Sequence, residues 1–123
     1  MRKALLDSSF LISAAKEKLD LFEELQEYEI LIPEQVITET FRIAESNQSQ
    51  KNKDAASLAL KILHESKDNF KRIDLDDGHT DSQIVKYAEE NPDILVATLD
   101  KEIRGKLKGR SLVIRQGSKV EVV

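Results

Sequence analysis

Apolar positions along this chain follow two rhythms, short unbroken runs and longer stripes at helical spacing. The runs Ala4-Leu5-Leu6, Ile30-Leu31-Ile32 and Ile94-Leu95-Val96-Ala97-Thr98-Leu99 have the length and Val/Ile/Leu content of strands buried on both faces. Phe70 to Leu75, Ser111 to Arg115 and Val120 to Val123 read as further strands, the first of them edge-like. Helical stripes fill the intervals. Phe10, Leu11, Ile12 and Ala15 continue past Lys16 through Leu19, Leu21, Phe22 and Leu25. Val36, Ile37, Phe41, Ile43 and Ala44 follow Pro33, which suits a first helical turn. Ala55, Leu58, Ala59, Ile62 and Leu63 mark a long helix, and Ile84, Val85 and Ala88 mark one opened by the capping-box pattern of Thr80 and Gln83. Asn91-Pro92-Asp93 stops that helix, and a short one runs from about Lys101 to Lys108. Ser46 to Lys53 reads as a loop, and Asp76-Asp77-Gly78 and Gly117 read as turns. Strands and helices alternating with crossovers this long predict one α/β domain over residues 1–123. It should be a three-layer α/β/α sandwich around a mostly parallel sheet of four or five strands.

The composition narrows the chemistry. At 123 residues and 40% apolar content, the chain can bury about two-thirds of its unfolded surface. It has no cysteine, which excludes a disulfide framework, a thiolate zinc site and a cysteine nucleophile. Asp7 interrupts the N-terminal apolar stretch too early for a signal peptide, and no stretch reaches membrane-spanning length, so a soluble cytoplasmic protein with no membrane partner is expected. A charged fraction of 34% with four Gly and two Pro fits a thermophile. The net charge of −4 hides an asymmetry: residues 1–100 hold 12 Lys/Arg against 21 Asp/Glu, and residues 101–123 hold 7 against 2. A cationic strip of Lys101, Arg104, Lys106, Lys108, Arg110, Arg115 and Lys119 therefore begins immediately after Asp100. Such a strip beside acids suits a polyanion whose phosphate approaches metal ions, and the plainer reading is a solvated helix face.

The acids are the most informative feature. Asp7 ends the first apolar run and Asp100 ends the long one. In an open parallel sheet, the carboxyl ends of the strands form the ligand-binding edge. Neighbouring strands lie ~5 Å apart, so two ionised carboxylates there repel by about 3 kcal/mol at an effective dielectric of ~20, a sign that a divalent cation reverses. Asp81 falls on the stripe of Ile84, Val85 and Ala88, where an acid is anomalous. Glu39 borders the stripe of Val36 and Ile43. Each has a structural alternative: Asp7 and Asp100 as N-caps worth ~1 kcal/mol, Asp81 as a first-turn acid, Glu39 as a border residue. What those alternatives leave unexplained is the convergence of all four on one sheet edge.

Competing motifs fail on their spacing. Gly105 to Ser111 is too short for a P-loop and precedes a strand. Counting back from Gly78 puts Leu75 and Ile73 at calcium-ligand positions. His64 and His79 lack the spacing of a zinc pair, serine hydrolysis lacks its base, and Asp7 has no adjacent acid for a phosphoaspartate site.

In order and spacing, Asp7 with Ser8 and Ser9, Glu39, Asp81-x-x-Ile84-x-x-x-Ala88 and Thr98-Leu99-Asp100 resemble the PIN domains, a family of metal-dependent nucleases. The resemblance covers nearly the whole chain. It implies Asp7, Glu39, Asp81 and Asp100 around one or two Mg²⁺ or Mn²⁺ ions, with Ser9 and Thr98 as supporting polar groups. Glu102 stands where many PIN domains of the VapC toxin type have a further Asp, and joins the implied ligands with a side chain one methylene longer. The implied function is metal-dependent endoribonuclease cleavage of RNA phosphodiester bonds, with Arg104, Lys106 and Lys108 holding adjoining phosphates. The alternative is a catalytically silent RNA-binding or scaffold protein of the same fold. The basic helix after Asp100 looks more like archaeal and eukaryotic PIN proteins of ribosomal RNA processing than a typical toxin. Partners implied are RNA and either an antitoxin or a ribosome-assembly partner, and a homodimer or higher homo-oligomer stays open.

Overall fold

In a computed structural model that describes residues 1–115 and 119–123, strands and helices alternate as the apolar rhythms predict. The order is β1 (Lys3–Leu6), α1 (Ser8–Lys16), α2 (Leu21–Glu24), β2 (Glu29–Pro33), α3 (Glu34–Ala44), α4 (Gln50–Glu65), β3 (Lys71–Ile73), α5 (Thr80–Glu90), β4 (Ile94–Ala97), α6 (Lys101–Lys106), β5 (Ser111–Arg115) and β6 (Lys119–Val122). The sheet has six strands and not four or five, because the short edge strands β3 and β6 both pair into it, in the order β3-β2-β1-β4-β5-β6. The first five are parallel and β6 is antiparallel to β5.

The central strands carry the core. Ala4, Leu5 and Leu6 of β1 and Leu95, Val96 and Ala97 of β4 are fully buried, as helices on both faces of a parallel sheet require. From β1 the chain moves outward through β2 to β3, then returns over the sheet to β4 and β5. Right-handed crossovers place α1, α3 and α4 on one face, where they pack on one another, and α5 and α6 on the other, where they meet. The direction reverses between β1 and β4, and at such a switch point the open carboxyl edge of a parallel sheet takes its ligand. Register makes this edge specific: Leu6 stands opposite Ala97, so the residues that follow, Asp7 and Thr98, emerge side by side.

Several local expectations change. The loop after α3 ends at Ser49, whose hydroxyl accepts the Asn52 N–H (3.3 Å), so Gln50 to Lys53 form the polar first turn of α4. Thr80 and Gln83 make no capping box: α5 starts one residue early, with His79 at the N-cap making no side-chain cap bond. Gly78, at φ +131°, supplies the left-handed step that aims the chain into that helix. Lys18, at φ 54°, divides the first helical stripe into α1 and α2. The Gly117 turn lies outside the described residues. Arg110, counted above in the cationic strip, is taken up by the fold: its Nη2 donates to the carbonyls of Ala88 (2.7 Å), Asn91 (3.1 Å) and Ile94 (2.9 Å) and ties the end of α5 to the start of β4.

Candidate metal and nucleic-acid site

Asp7 is the anchor of the site. It caps α1, and its Oδ1 accepts from the Phe10 N–H (3.0 Å) and the Ser9 hydroxyl (2.7 Å). Its Oδ2 accepts from the Thr98 hydroxyl. Only 5% of Asp7 is exposed. Burial pushes its carboxyl up to about 6; the bonds from Thr98, Phe10 and Ser9 oppose the shift, and the Asp81 charge adds to it. The cap and the functional acid, set against each other as rival readings, are the same side chain.

Two hydroxyls join Asp7 to the loop that carries Asp100. Thr98 Oγ1, besides donating to Asp7, accepts the Asp100 N–H (3.0 Å). Ser9 Oγ, besides donating to Asp7, accepts the Leu99 N–H (3.0 Å). The polar residues expected to support the acids therefore fix both the Asp7 rotamer and the backbone entering α6. Asp100 in turn caps α6, its Oδ1 accepting the Glu102 N–H (2.8 Å).

Asp81 reaches the same place from the other layer of the fold. It lies in the first turn of α5 and is exposed, not buried in the helix's inward face, because that turn overhangs the sheet edge beyond the core. Partial burial raises its carboxyl, and the charges of Asp100 and Glu102 raise it further while His79 pulls the other way. Asp81 thus stands between the other acids, acting on Asp7 and acted on by Asp100 and Glu102. Glu39 is half-buried and lines an adjoining cavity of about 380 Å³ with Gln35, Thr38, Arg42 and Thr80. It borders Asp81 through Thr80, and it is not among the charges that perturb Asp7 or Asp81.

The cationic strip is shorter than the composition suggests. Arg110 is held by backbone carbonyls and Arg115 by Glu121 (3.0 Å). Lys106 and Lys108 are exposed at the end of α6 and just past it; Arg104 is half-buried, with a buried Nε that has no partner among the described residues.

A family profile described as a PIN like domain matches residues 4–116. The chain belongs to that family. This PIN-like domain is 32% identical, over 131 aligned positions, to ribonuclease VapC4 of Methanocaldococcus jannaschii, with 99% of this chain and 97% of that protein covered. Among solved structures it resembles the PIN domain endonuclease Utp24 (TM-score 0.77, 21% identity, 98% of this chain and 90% of that one). It also resembles a protein of Pyrobaculum aerophilum (0.62, 21%, 89% and 83%) and a domain of functionally unknown role from M. jannaschii (0.65, 21%, 100% and 99%). These likenesses bear out the family resemblance and the α/β sandwich.

The donor set of this PIN-like domain fits a hard divalent cation. Every side-chain atom offered is a carboxylate or hydroxyl oxygen, which suits Mg²⁺ or Mn²⁺, and a cation would relieve the repulsion that raises Asp81. Among the described residues, no three Asp, Glu or His side chains already surround one point. Mg²⁺ does not demand that, since it commonly takes one or two carboxylates and completes its shell with water and substrate phosphate.

Proposed function

We propose that this PIN-like domain is a divalent-metal-dependent endoribonuclease that hydrolyses RNA phosphodiester bonds. The observation that carries the reading is the chain of neighbouring acids at the carboxyl edge of β1 and β4, Asp7 beside Asp81 and Asp81 beside Asp100 and Glu102. Helix capping accounts for one oxygen of Asp7 and one of Asp100 but not for four acids gathered from three separate segments, of which Asp7 is raised by burial and the Asp81 charge and Asp81 by burial and the charges of Asp100 and Glu102. The family match and the names of the similar proteins support the same chemistry.

Asp7, Asp81 and Asp100 would hold Mg²⁺ or Mn²⁺, with Glu102 and Glu39 completing the set from either side. The bound ion would supply Lewis-acid polarisation of the phosphate and acidify a water ligand. Everything else is done by the chain. Ser9 and Thr98 hold the Asp7 carboxylate in one rotamer and hold the Asp100 backbone against it. Lys106 and Lys108, with Arg104 beside them, bind flanking phosphates and contribute affinity without sequence choice. No side-chain nucleophile is required, consistent with the absence of cysteine.

The test is cleavage of single-stranded and structured RNA by the purified protein with Mn²⁺, Mg²⁺ or EDTA, alongside Asp100→Asn. Metal-dependent cleavage lost in the variant is expected; cleavage that survives EDTA or loss of Asp7 would overturn the metal-dependent reading, and RNA binding with no cleavage in either metal supports the silent RNA-binding alternative. A short neighbouring reading frame that relieves growth arrest would identify a toxin and its antitoxin, whereas accumulation of uncut ribosomal RNA precursors would identify a processing role. No helix among the described residues is long and apolar enough to cross a membrane.

A further inference from the structure

A second cavity, of about 240 Å³, adjoins the acids on the face opposite α6, between α1, the α3–α4 connection and Leu99. It shares two residues with the acid site. The Ser9 hydroxyl lines it while donating to Asp7, and Leu99, also in its wall, donates its N–H to Ser9. A ligand seated there is one residue from the carboxylates.

The walls have a particular chemistry. Ile12, Ile43 and Leu99 offer apolar surface, and Gln48 and Asn52 offer a polar edge. Asn52 Nδ2 donates to Gln48 Oε1 (3.2 Å), which locks the two amides together. That bond leaves the Gln48 amide protons and the Asn52 carbonyl oxygen as a donor and an acceptor side by side. The connection bearing Gln48 is itself ordered: Ser46 Oγ donates to the Ile43 carbonyl (2.8 Å) and accepts the Gln48 N–H (3.2 Å). Lys16, at the end of α1, adds a cation at the cavity's margin.

We propose that this cavity receives the base of the nucleotide beside the scissile phosphate of single-stranded RNA, and so sets the enzyme's sequence preference. The inference rests on the nuclease reading above. Unstacked bases are recognised by apolar contact on their faces and by paired donors and acceptors on their edges. Both kinds of surface occur here, preordered. The volume lies just below the roughly 300–1,000 Å³ of pockets for drug-sized ligands, a size for one ring system and not for a whole nucleotide. The other cavity beside the acids is lined by Glu34 and Glu39 as well as Arg42, whereas this one has Lys16 and no acid among the residues described in its wall, the better match to a polyanion. A strand held by Lys106 and Lys108 therefore crosses the acids toward α1.

Two measurements test this. In the first, ¹⁵N-labelled protein is titrated with UMP, CMP, AMP, GMP and ribose 5-phosphate while the side-chain amide signals of Gln48 and Asn52 are followed. Saturable shifts that differ among the four nucleotides and are absent with ribose 5-phosphate are expected, and affinity read in both proteins from the backbone amide signals of Ser9 and Leu99 should fall roughly tenfold in the Gln48→Ala/Asn52→Ala variant, the loss of one bidentate base-edge pair. The variant should fold, because the Ser49 cap receives the Asn52 backbone N–H, which alanine retains. In the second, cleavage positions are mapped on random-sequence single-stranded RNA in Mn²⁺, where the variant should lose nucleotide preference, read as the ratio of cleavage at favoured to disfavoured nucleotides. Equal shifts with ribose 5-phosphate, or an unchanged preference in the variant, would overturn the proposal. Base-selective shifts in a protein that cuts no RNA would sink the nuclease reading and leave the base site standing.

Discussion

Asp7→Asn isolates the one charged side chain that is buried among the described residues. Its carboxyl sits at about 6 in the folded protein against an ordinary value of 3.8, chiefly because it is buried. Between those values the native state holds a proton that the unfolded chain has released, so stability falls as pH rises through the window and the full loss is present above about pH 6. The difference corresponds to roughly 3 kcal/mol. For a chain of 123 residues this is roughly 10 °C in Tm. Asn caps a helix about as well as Asp and keeps a carbonyl oxygen for Phe10 and Ser9, while its amide can donate to Thr98 Oγ1. The prediction is that, in EDTA, the variant and the wild type melt at similar temperatures near pH ~4, and that near pH ~7.5 the variant melts roughly 10 °C higher. Adding Mg²⁺ or Mn²⁺ at the higher pH should raise the wild type selectively and narrow the gap, while RNA cleavage is lost in the variant. Melts of both proteins across this pH range, with and without metal, decide it. A variant less stable than wild type at pH ~7.5 in EDTA, or a gap that does not change with pH, would show that the hydrogen bonds and the cap outweigh burial and would refute the reasoning.

Asp81→Asn should reduce cleavage at least tenfold more than Glu34→Gln, an order-of-magnitude expectation from the loss of a metal-facing charge. Glu34 is already engaged by Arg72 through two 2.7 Å bonds, and equal kcat/KM for the two variants would remove the distinction. Lys106→Glu with Lys108→Glu should weaken binding of all single-stranded RNAs alike and flatten the slope of log K against log salt by ~0.7 for each phosphate no longer neutralised; an unchanged slope would leave these lysines as a solvated face. Arg110→Met should do the reverse, leaving RNA affinity unaltered but destabilising the fold by roughly 3 kcal/mol through the carbonyls it abandons, as read by urea denaturation. Thr98→Val should lower activity and drive the Asp7 carboxyl higher still, because the Thr98 bond is the largest effect holding it down; an unmoved Asp7 titration in ¹³C NMR would contradict that.

What was legible in the sequence was conflict visible in one dimension. Asp7 and Asp100 stand out because each ends a run of residues that belong inside a sheet, and the carboxyl edge of parallel strands is a place that topology alone assigns. Register was not legible. Only the pairing of Leu6 with Ala97 brings the Thr98 hydroxyl onto the Asp7 carboxylate, and no apolar pattern distinguishes that alignment from one shifted along a strand buried on both faces. Asp81 was singled out by a stripe that does exist, although its physical setting differs: the residue is exposed in the first turn of α5, where its side chain neighbours Asp100 and Glu102 and not the core.

Arg110 shows why charge counting overstated the basic strip. Its acceptors are three backbone carbonyls, groups that every residue carries, so nothing in the identities of Ala88, Asn91 or Ile94 announces the bond. The same holds for the loop that orders Asp100, where a serine and a threonine each receive a backbone N–H. Side chains that act on one another leave a trace in residue types. Those that act on the main chain leave none, and here they position the acids: the carboxylates could be found by reading, whereas their alignment had to be built from strand register and backbone hydrogen bonds.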